Sequence, residues 1–139
     1  MSYVYDATLA RVIDGDTVVL NLTKTYTSTQ VNDFGFYVKE TVTTTVTKEA
    51  TVHFRLYGIN APEIHGPTQA RGEMSKAEVF RLLALGKISV ESLGPDKYGD
   101  RWLGKITVIK PDGTAVLVND ELVKGGFAKP YFGEGVKPI

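Results

Sequence analysis

Ten threonines lie between Thr23 and Thr51, interleaved with valines and aromatic residues and interrupted at Asp33-Phe34-Gly35-Phe36. A β-branched side chain is stiff and fits a pleated surface, so such a stretch selects extended chain over helix. Its hydroxyls suit a solvated surface, while the interleaved valines and aromatics argue against a disordered linker. The pattern predicts two extended arms folded back on one another. They form a ribbon, about residues 24–50, inserted into a β-rich body and projecting from it.

The flanking segments supply that body. Residues 7–13 read as a strand, and Asp14-Gly15 is a dipeptide that closes tight hairpins. Val18, Leu20 and Leu22 share one face of a second strand. Val52, Phe54 and Leu56 share one face of a third, Val52 to Tyr57, with His53, Arg55 and Tyr57 opposite. Gly58 ends it. A helix over roughly Ala70–Leu85 follows, with Met74, Ala77, Phe80 and Leu83 at helical spacing as its core face and Gly86 as its stop. Strands around Lys87–Glu91 and Trp102–Ile109 flank a loop from Gly94 to Arg101, and Trp102 is expected to pack against the body. Asp112-Gly113 turns the chain, and a short helix near Val118–Lys124 ends at Gly125-Gly126. Three strands, a helix, two strands and a terminal helix make the pattern of a five-stranded OB-type barrel. The expectation is a β-rich α+β fold, one domain over residues 1–139, with the helix between strands three and four and the ribbon inserted.

Composition excludes several classes. The 139 residues, 42% of them hydrophobic, suffice for one core. Cysteine is absent, which rules out disulfides and thiolate metal sites. No apolar run reaches the length of a membrane span, and Met1 to Asp6 lacks the features of a signal peptide, so a cytoplasmic product is expected. Sixteen basic residues meet sixteen acidic ones, leaving no net field to attract a polyanion. Nucleic-acid affinity would have to come from a local cluster or a bound cation, and would be weak and salt-sensitive. His53 and His65 have no partner at metal spacing and read as structural.

Four separated motifs carry the chemistry: Asp14-Gly15-Asp16-Thr17, Arg55 to Glu63 (Arg-Leu-Tyr-Gly-Ile-Asn-Ala-Pro-Glu), Asp96-Lys97-Tyr98-Gly99-Asp100-Arg101, and Ala128-Lys129-Pro130-Tyr131. Hydrolysing a phosphodiester requires two anions to meet, charge to be neutralised, and a proton to leave the attacking water. Asp16, Asn60 and the Ala61 carbonyl are oxygen donors suited to Ca²⁺, with Mg²⁺ or another hard divalent ion as alternatives. Arg55 and Arg101 present planar forks that match phosphate oxygens. Glu63, held just after the rigid Pro62, is the candidate general base. Tyr131 and Tyr98 are candidates to stack on a base or bond a phosphate, with Lys97 and Lys129 adding positive charge.

From about Ala7 to Tyr131 the order and spacing of these motifs resemble the staphylococcal nuclease (thermonuclease) family. The resemblance implies calcium-dependent cleavage of DNA and/or RNA to 3′-phosphate and 5′-hydroxyl ends. By the same resemblance, Asp16 matches the first calcium-ligand aspartate, and Asn60 with Ala61 takes the place of the second. Arg55, Glu63 and Arg101 match the catalytic arginine, glutamate and second arginine, and Lys97, Tyr98 and Tyr131 match substrate contacts. The chain departs from that pattern at Asn60, where an aspartate is usual, and at Asp100, which separates Gly99 from Arg101. The third helix of the best-known member is missing after Tyr131, and the ribbon is additional.

The leading expectation is therefore a metal-dependent nuclease acting on single-stranded or locally open nucleic acid. Asn60 and Asp100 favour the alternative, a barrel that binds nucleic acid or a protein without cutting. Because a valine-threonine strand edge is prone to pairing, self-association or a protein contact through the ribbon is a further expectation.

Overall fold

The computed structural model describes residues 3–35, 39–96 and 99–132. Its elements in chain order are β1 (Tyr3–Asp14), β2 (Thr17–Asp33), β3 (Lys39–Leu56), β4 (Ile59–Asn60), α1 (Gln69–Leu83), β5 (Lys87–Pro95), β6 (Trp102–Ile109), β7 (Ala115–Leu117), α2 (Val118–Lys124) and β8 (Lys129–Pro130), with a single 3₁₀ turn at Gly66–Thr68 leading into α1. The class is β-rich α+β, as the periodicities imply. Among the described residues no helix is long and apolar enough to cross a membrane.

Pairing runs β3-β2-β1-β5-β6, all antiparallel, and closes on itself because β6 also pairs in parallel with β3, Phe54 opposite Trp102 and Leu56 opposite Gly104. Five long strands thus form a ring, with β7 added beside β6 and the short β4–β8 pair beside it. Side chains alternate across each strand, so one row per strand points into the ring. Val18 and Leu20, Phe54 and Leu56, Val90, and Ile106 and Val108 fill it and are essentially solvent-free. Val79, Leu82 and Leu83 of α1 and Val118 and Leu122 of α2 join the same apolar cluster.

The ribbon is a continuation of the ring rather than an appendage joined by a linker. β2 and β3 stay in register from Thr17–Arg55 to Asp33–Lys39 without a break. One face is a hydroxyl ladder, with the Thr25–Thr47 and Thr29–Thr43 side-chain oxygens 3.3 and 3.4 Å apart and Thr51 donating to Asn21 Oδ1 at 2.8 Å. The other face carries Lys24 opposite Lys48 and Tyr26 opposite Val46.

Several sequence expectations are corrected. β1 begins at Tyr3 rather than residue 7, and β5 runs on to Pro95 rather than stopping near Glu91. The helix buries Gly72, Ser75, Val79, Leu82 and Leu83, whereas Met74 and Phe80 are about 60% exposed and Ala77 is exposed as well. The cause is contact distance: a Cβ on Gly72 would lie 2.3 Å from the Glu63 carbonyl oxygen, so the buried stripe begins with residues too small to register as apolar. Trp102 is 46% exposed instead of packed. It continues the inward row of Gly104, Ile106 and Val108 but lies beyond the last filled layer.

Asn119 joins α2 to the ring. Its Nδ2 donates to the Tyr57 and Gly104 carbonyls at 2.9 and 3.1 Å, and its Oδ1 accepts from the Ile106 N–H at 3.1 Å. Asn119→Ala orphans buried backbone groups and should cost about 2 kcal/mol or more. A urea midpoint unchanged from the parent would show that these bonds do not hold the helix.

Candidate active site

The site starts at the β1–β2 turn. Gly15 has no side chain where the chain has no room for one: an added Cβ would lie 2.7 Å from the Cβ atoms of both Ala61 and Ser75. This approach brings the Asp16 carboxylate against the loop after β3, where Oδ2 accepts the Ala61 N–H at 2.9 Å. Oδ1 accepts from Thr17 Oγ1 at 3.1 Å, and the Asp16 carbonyl accepts the Leu56 N–H at 2.8 Å. Asp16 is 8% exposed.

Register places the two guanidiniums. Arg55 stands opposite Thr17 across the hairpin. Its Nη1 donates to the Ile59 carbonyl at 3.0 Å and lies 3.8 Å from Asp16 Oδ2, while Nη2 reaches Asn60 Oδ1 at 3.4 Å. Arg101 lies immediately before β6, the strand paired with β3. Its Nη1 donates to Thr17 Oγ1 at 3.2 Å and its Nε to Asp96 Oδ2 at 3.0 Å, with Asp100 at 3.7 Å. Arg101, Thr17, Asp16, Arg55 and Asn60 therefore form one continuous polar network. Residues separated by up to 84 positions meet there.

Glu63 lies two residues beyond Ala61, on the loop that the Asp16 bond pins. Its carbonyl accepts from Thr68 Oγ1 at 2.9 Å and abuts Gly72, while its exposed carboxylate takes no hydrogen bond or ion pair among the described residues. An exposed carboxylate on a fixed backbone is suited to receiving a proton from water. Tyr131 follows β8, whose Lys129 pairs with Asn60, and its N–H donates to the Gly58 carbonyl at 2.9 Å. The structure brings it to the loop but leaves it only 9% exposed, a poor fit to a stacking surface. Lys97 and Tyr98 lie outside the described residues.

Three contributors carry no role in the motif reading. Thr17 bridges Arg101 to Asp16, a link implied by its place across from Arg55. Asp96, 7% exposed, holds the Arg101 guanidinium and accepts the Gly99 N–H at 2.8 Å; an acid five residues before an arginine in one short loop is the only signal for it. Asp14 accepts the Asp16 N–H at 3.0 Å, and its carboxyl is pushed up to about 6, first by burial and then by the hydrogen bond and charge of Asp16.

The side chains of Asp14, Asp16 and Asn60 offer only oxygen donors beside this network. Among the described residues no three His, Asp or Glu side chains gather closely enough to hold a metal by themselves. This chemistry fits a hydrated hard cation, with water supplying much of the shell, and does not fit zinc.

Asp14 predicts a pH dependence. Its folded value lies above the 3.8 of the free group, so the fold favours the neutral acid; the stability that this contributes is complete below about 3.8 and lost as pH rises through about 6. Asp14→Asn keeps the acceptor for the Asp16 N–H but cannot ionise. In chelator its Tm should exceed the parent's by a few degrees at pH 8, with the gap closing towards pH 4. A gap that does not vary with pH would contradict this.

No curated protein matches the chain. The family model described as staphylococcal nuclease homologue covers residues 53–137, which includes Arg55, Asn60, Ala61, Glu63 and Arg101 and leaves Asp16 and the ribbon outside. With that match over more than half of its length, the protein belongs to the staphylococcal nuclease homologue family.

Proposed function

We propose that the protein is a calcium-dependent nuclease on an OB-type barrel, cleaving single-stranded or locally open DNA and/or RNA to 3′-phosphate and 5′-hydroxyl ends. The observation that carries this reading is the meeting of Arg55 and Arg101 at Asp16 and Thr17, within one polar network. Two guanidiniums flanking a carboxylate that could hold a cation suit a phosphodiester better than they suit a neutral ligand.

In this reading Arg55 and Arg101 donate to the non-bridging phosphoryl oxygens and stabilise the charge that gathers as phosphorus becomes five-coordinate. Asp16, Asn60 Oδ1 and the Ala61 carbonyl would hold the divalent ion, which when bound would supply positive charge against the phosphate. Glu63 takes the proton of the water whose oxygen bonds to phosphorus; the bond from phosphorus to the 5′ oxygen breaks, and that oxygen takes a proton from solvent to become the 5′-hydroxyl. Lys97 and Tyr98 contact the substrate, and Tyr131, too buried to stack, is left a phosphate hydrogen bond as its role. The pairing of Arg101 with Asp96 fixes the direction of its fork and leaves Nη2 without a hydrogen bond among the described residues.

Purified protein should digest single-stranded DNA with calcium and stop with chelator. Glu63→Gln should lower kcat by about 10²–10⁴-fold, and Arg55→Ala by about 10²–10³-fold, with the fold intact. Near-parental cutting by both variants would refute these roles.

A second reading, a module that binds without cutting, is favoured by Asn60, which supplies an acceptor but no charge, and by the two carboxylates near Arg101. The two readings separate at Asn60→Asp. An added negative charge should tighten calcium binding about tenfold and raise cutting at limiting calcium. Tighter binding with no cutting in either protein would select the module.

A further inference from the structure

At one end of the ring the inward rows run past the core, and aromatic or cationic residues follow the aliphatic ones on four strands. They are Tyr3 and Tyr5 in the β1 row, Lys24 in the β2 row, Lys48 in the β3 row and Trp102 in the β6 row. Together with Phe54 they line a cavity of about 460 Å³. Tyr3 and Tyr5 stack at 6.5 Å between centroids and 15° between planes, and the Lys24 ammonium lies 5.9 Å from the Tyr5 ring centre. Tyr3 is 52% and Trp102 46% exposed, a large aromatic surface left to water.

Charge argues for a polyanion as the occupant. Lys24 stands directly opposite Lys48, and like charges at such positions repel. Neither forms a salt bridge among the described residues, and the one carboxylate lining the groove is Glu49. Two unneutralised ammoniums between flat aromatic faces match a sugar-phosphate backbone with stacked bases; an apolar peptide would leave both cations desolvated and unpaired.

Trp102 follows Arg101, and Phe54 precedes Arg55, so the groove and the site share strands, with Arg55 on the face opposite Phe54. Apart from Phe54 and Trp102, these six residues lie outside the span matched by the family.

We infer that this groove binds single-stranded nucleic acid, with Tyr3, Tyr5 and Trp102 stacking on bases and Lys24 and Lys48 neutralising phosphates. Only its effect on cutting rests on the nuclease reading.

The test titrates an oligothymidylate of about fifteen nucleotides into the whole protein in chelator. Trp102 is the only tryptophan and reports from within the groove. Its emission should be quenched on binding. Lys24→Ala/Lys48→Ala should weaken the affinity about tenfold and reduce the salt slope by about 1.4. Tyr3→Ala/Tyr5→Ala should weaken it about tenfold with the slope unchanged. With calcium, both double variants should raise KM on long strands and leave turnover of a thymidine dinucleotide unaltered. Unchanged emission, or parental affinity in both variants, would overturn the inference, as would an acidic or apolar peptide that fills the groove without competition from the oligothymidylate. Quenching with no calcium-dependent cutting would sustain the groove and sink the nuclease reading; cutting with a silent Trp102 would do the reverse.

Discussion

One hydrogen bond, from the Ala61 N–H to the carboxylate oxygen Asp16 Oδ2, joins the two loops on which the site depends. It forms because Gly15 lets the β1–β2 turn rest on Ala61 and Ser75. The bond does two things at once. It neutralises part of a buried carboxylate that would otherwise be costly, and it holds the segment that leads through Pro62 to Glu63. Gly72 rests against the Glu63 carbonyl, so helix and loop meet at the Glu63 backbone without touching its carboxylate.

Much of this was legible in the sequence, and the limits have physical causes. Strict alternation in Val18-Leu20-Leu22 and Val52-Phe54-Leu56 identifies the inward rows, and hairpin geometry then puts Arg55 beside the Asp16 turn. Arg101 joins them through a parallel pairing between distant strands, which no local pattern encodes; only the combination of motifs points to it. The helix face was misjudged because hydropathy rewards Met74 and Phe80, while packing here demands the small Gly72 and Ser75. Trp102 was misjudged for a related reason. Alternation gives the direction of a side chain and not where the core stops. Asp96 went unassigned because a buried acid in a polar loop looks like any solvated one.

Net neutrality gains meaning from the geometry. Sixteen cations against sixteen anions give no long-range attraction, yet the distribution is uneven. Arg55 and Arg101 converge on one network, and Lys24 faces Lys48 seven residues further along the hairpin. Local fields of this kind act within a few ångströms and weaken with salt, so they select what is already close and do not gather substrate from a distance.

The long β2–β3 hairpin has a mechanical consequence. A slip of one residue along a strand turns every side chain to the opposite face. Near the site such an error would swing Arg55 inwards and push Phe54 into water. Because pairing extends without a bulge to Asp33 and Lys39, an error there would have to break the entire hydroxyl ladder together with the core rows. The ribbon thus acts as a vernier: its length, remote from any chemistry, sets the alignment of a guanidinium at the opposite end.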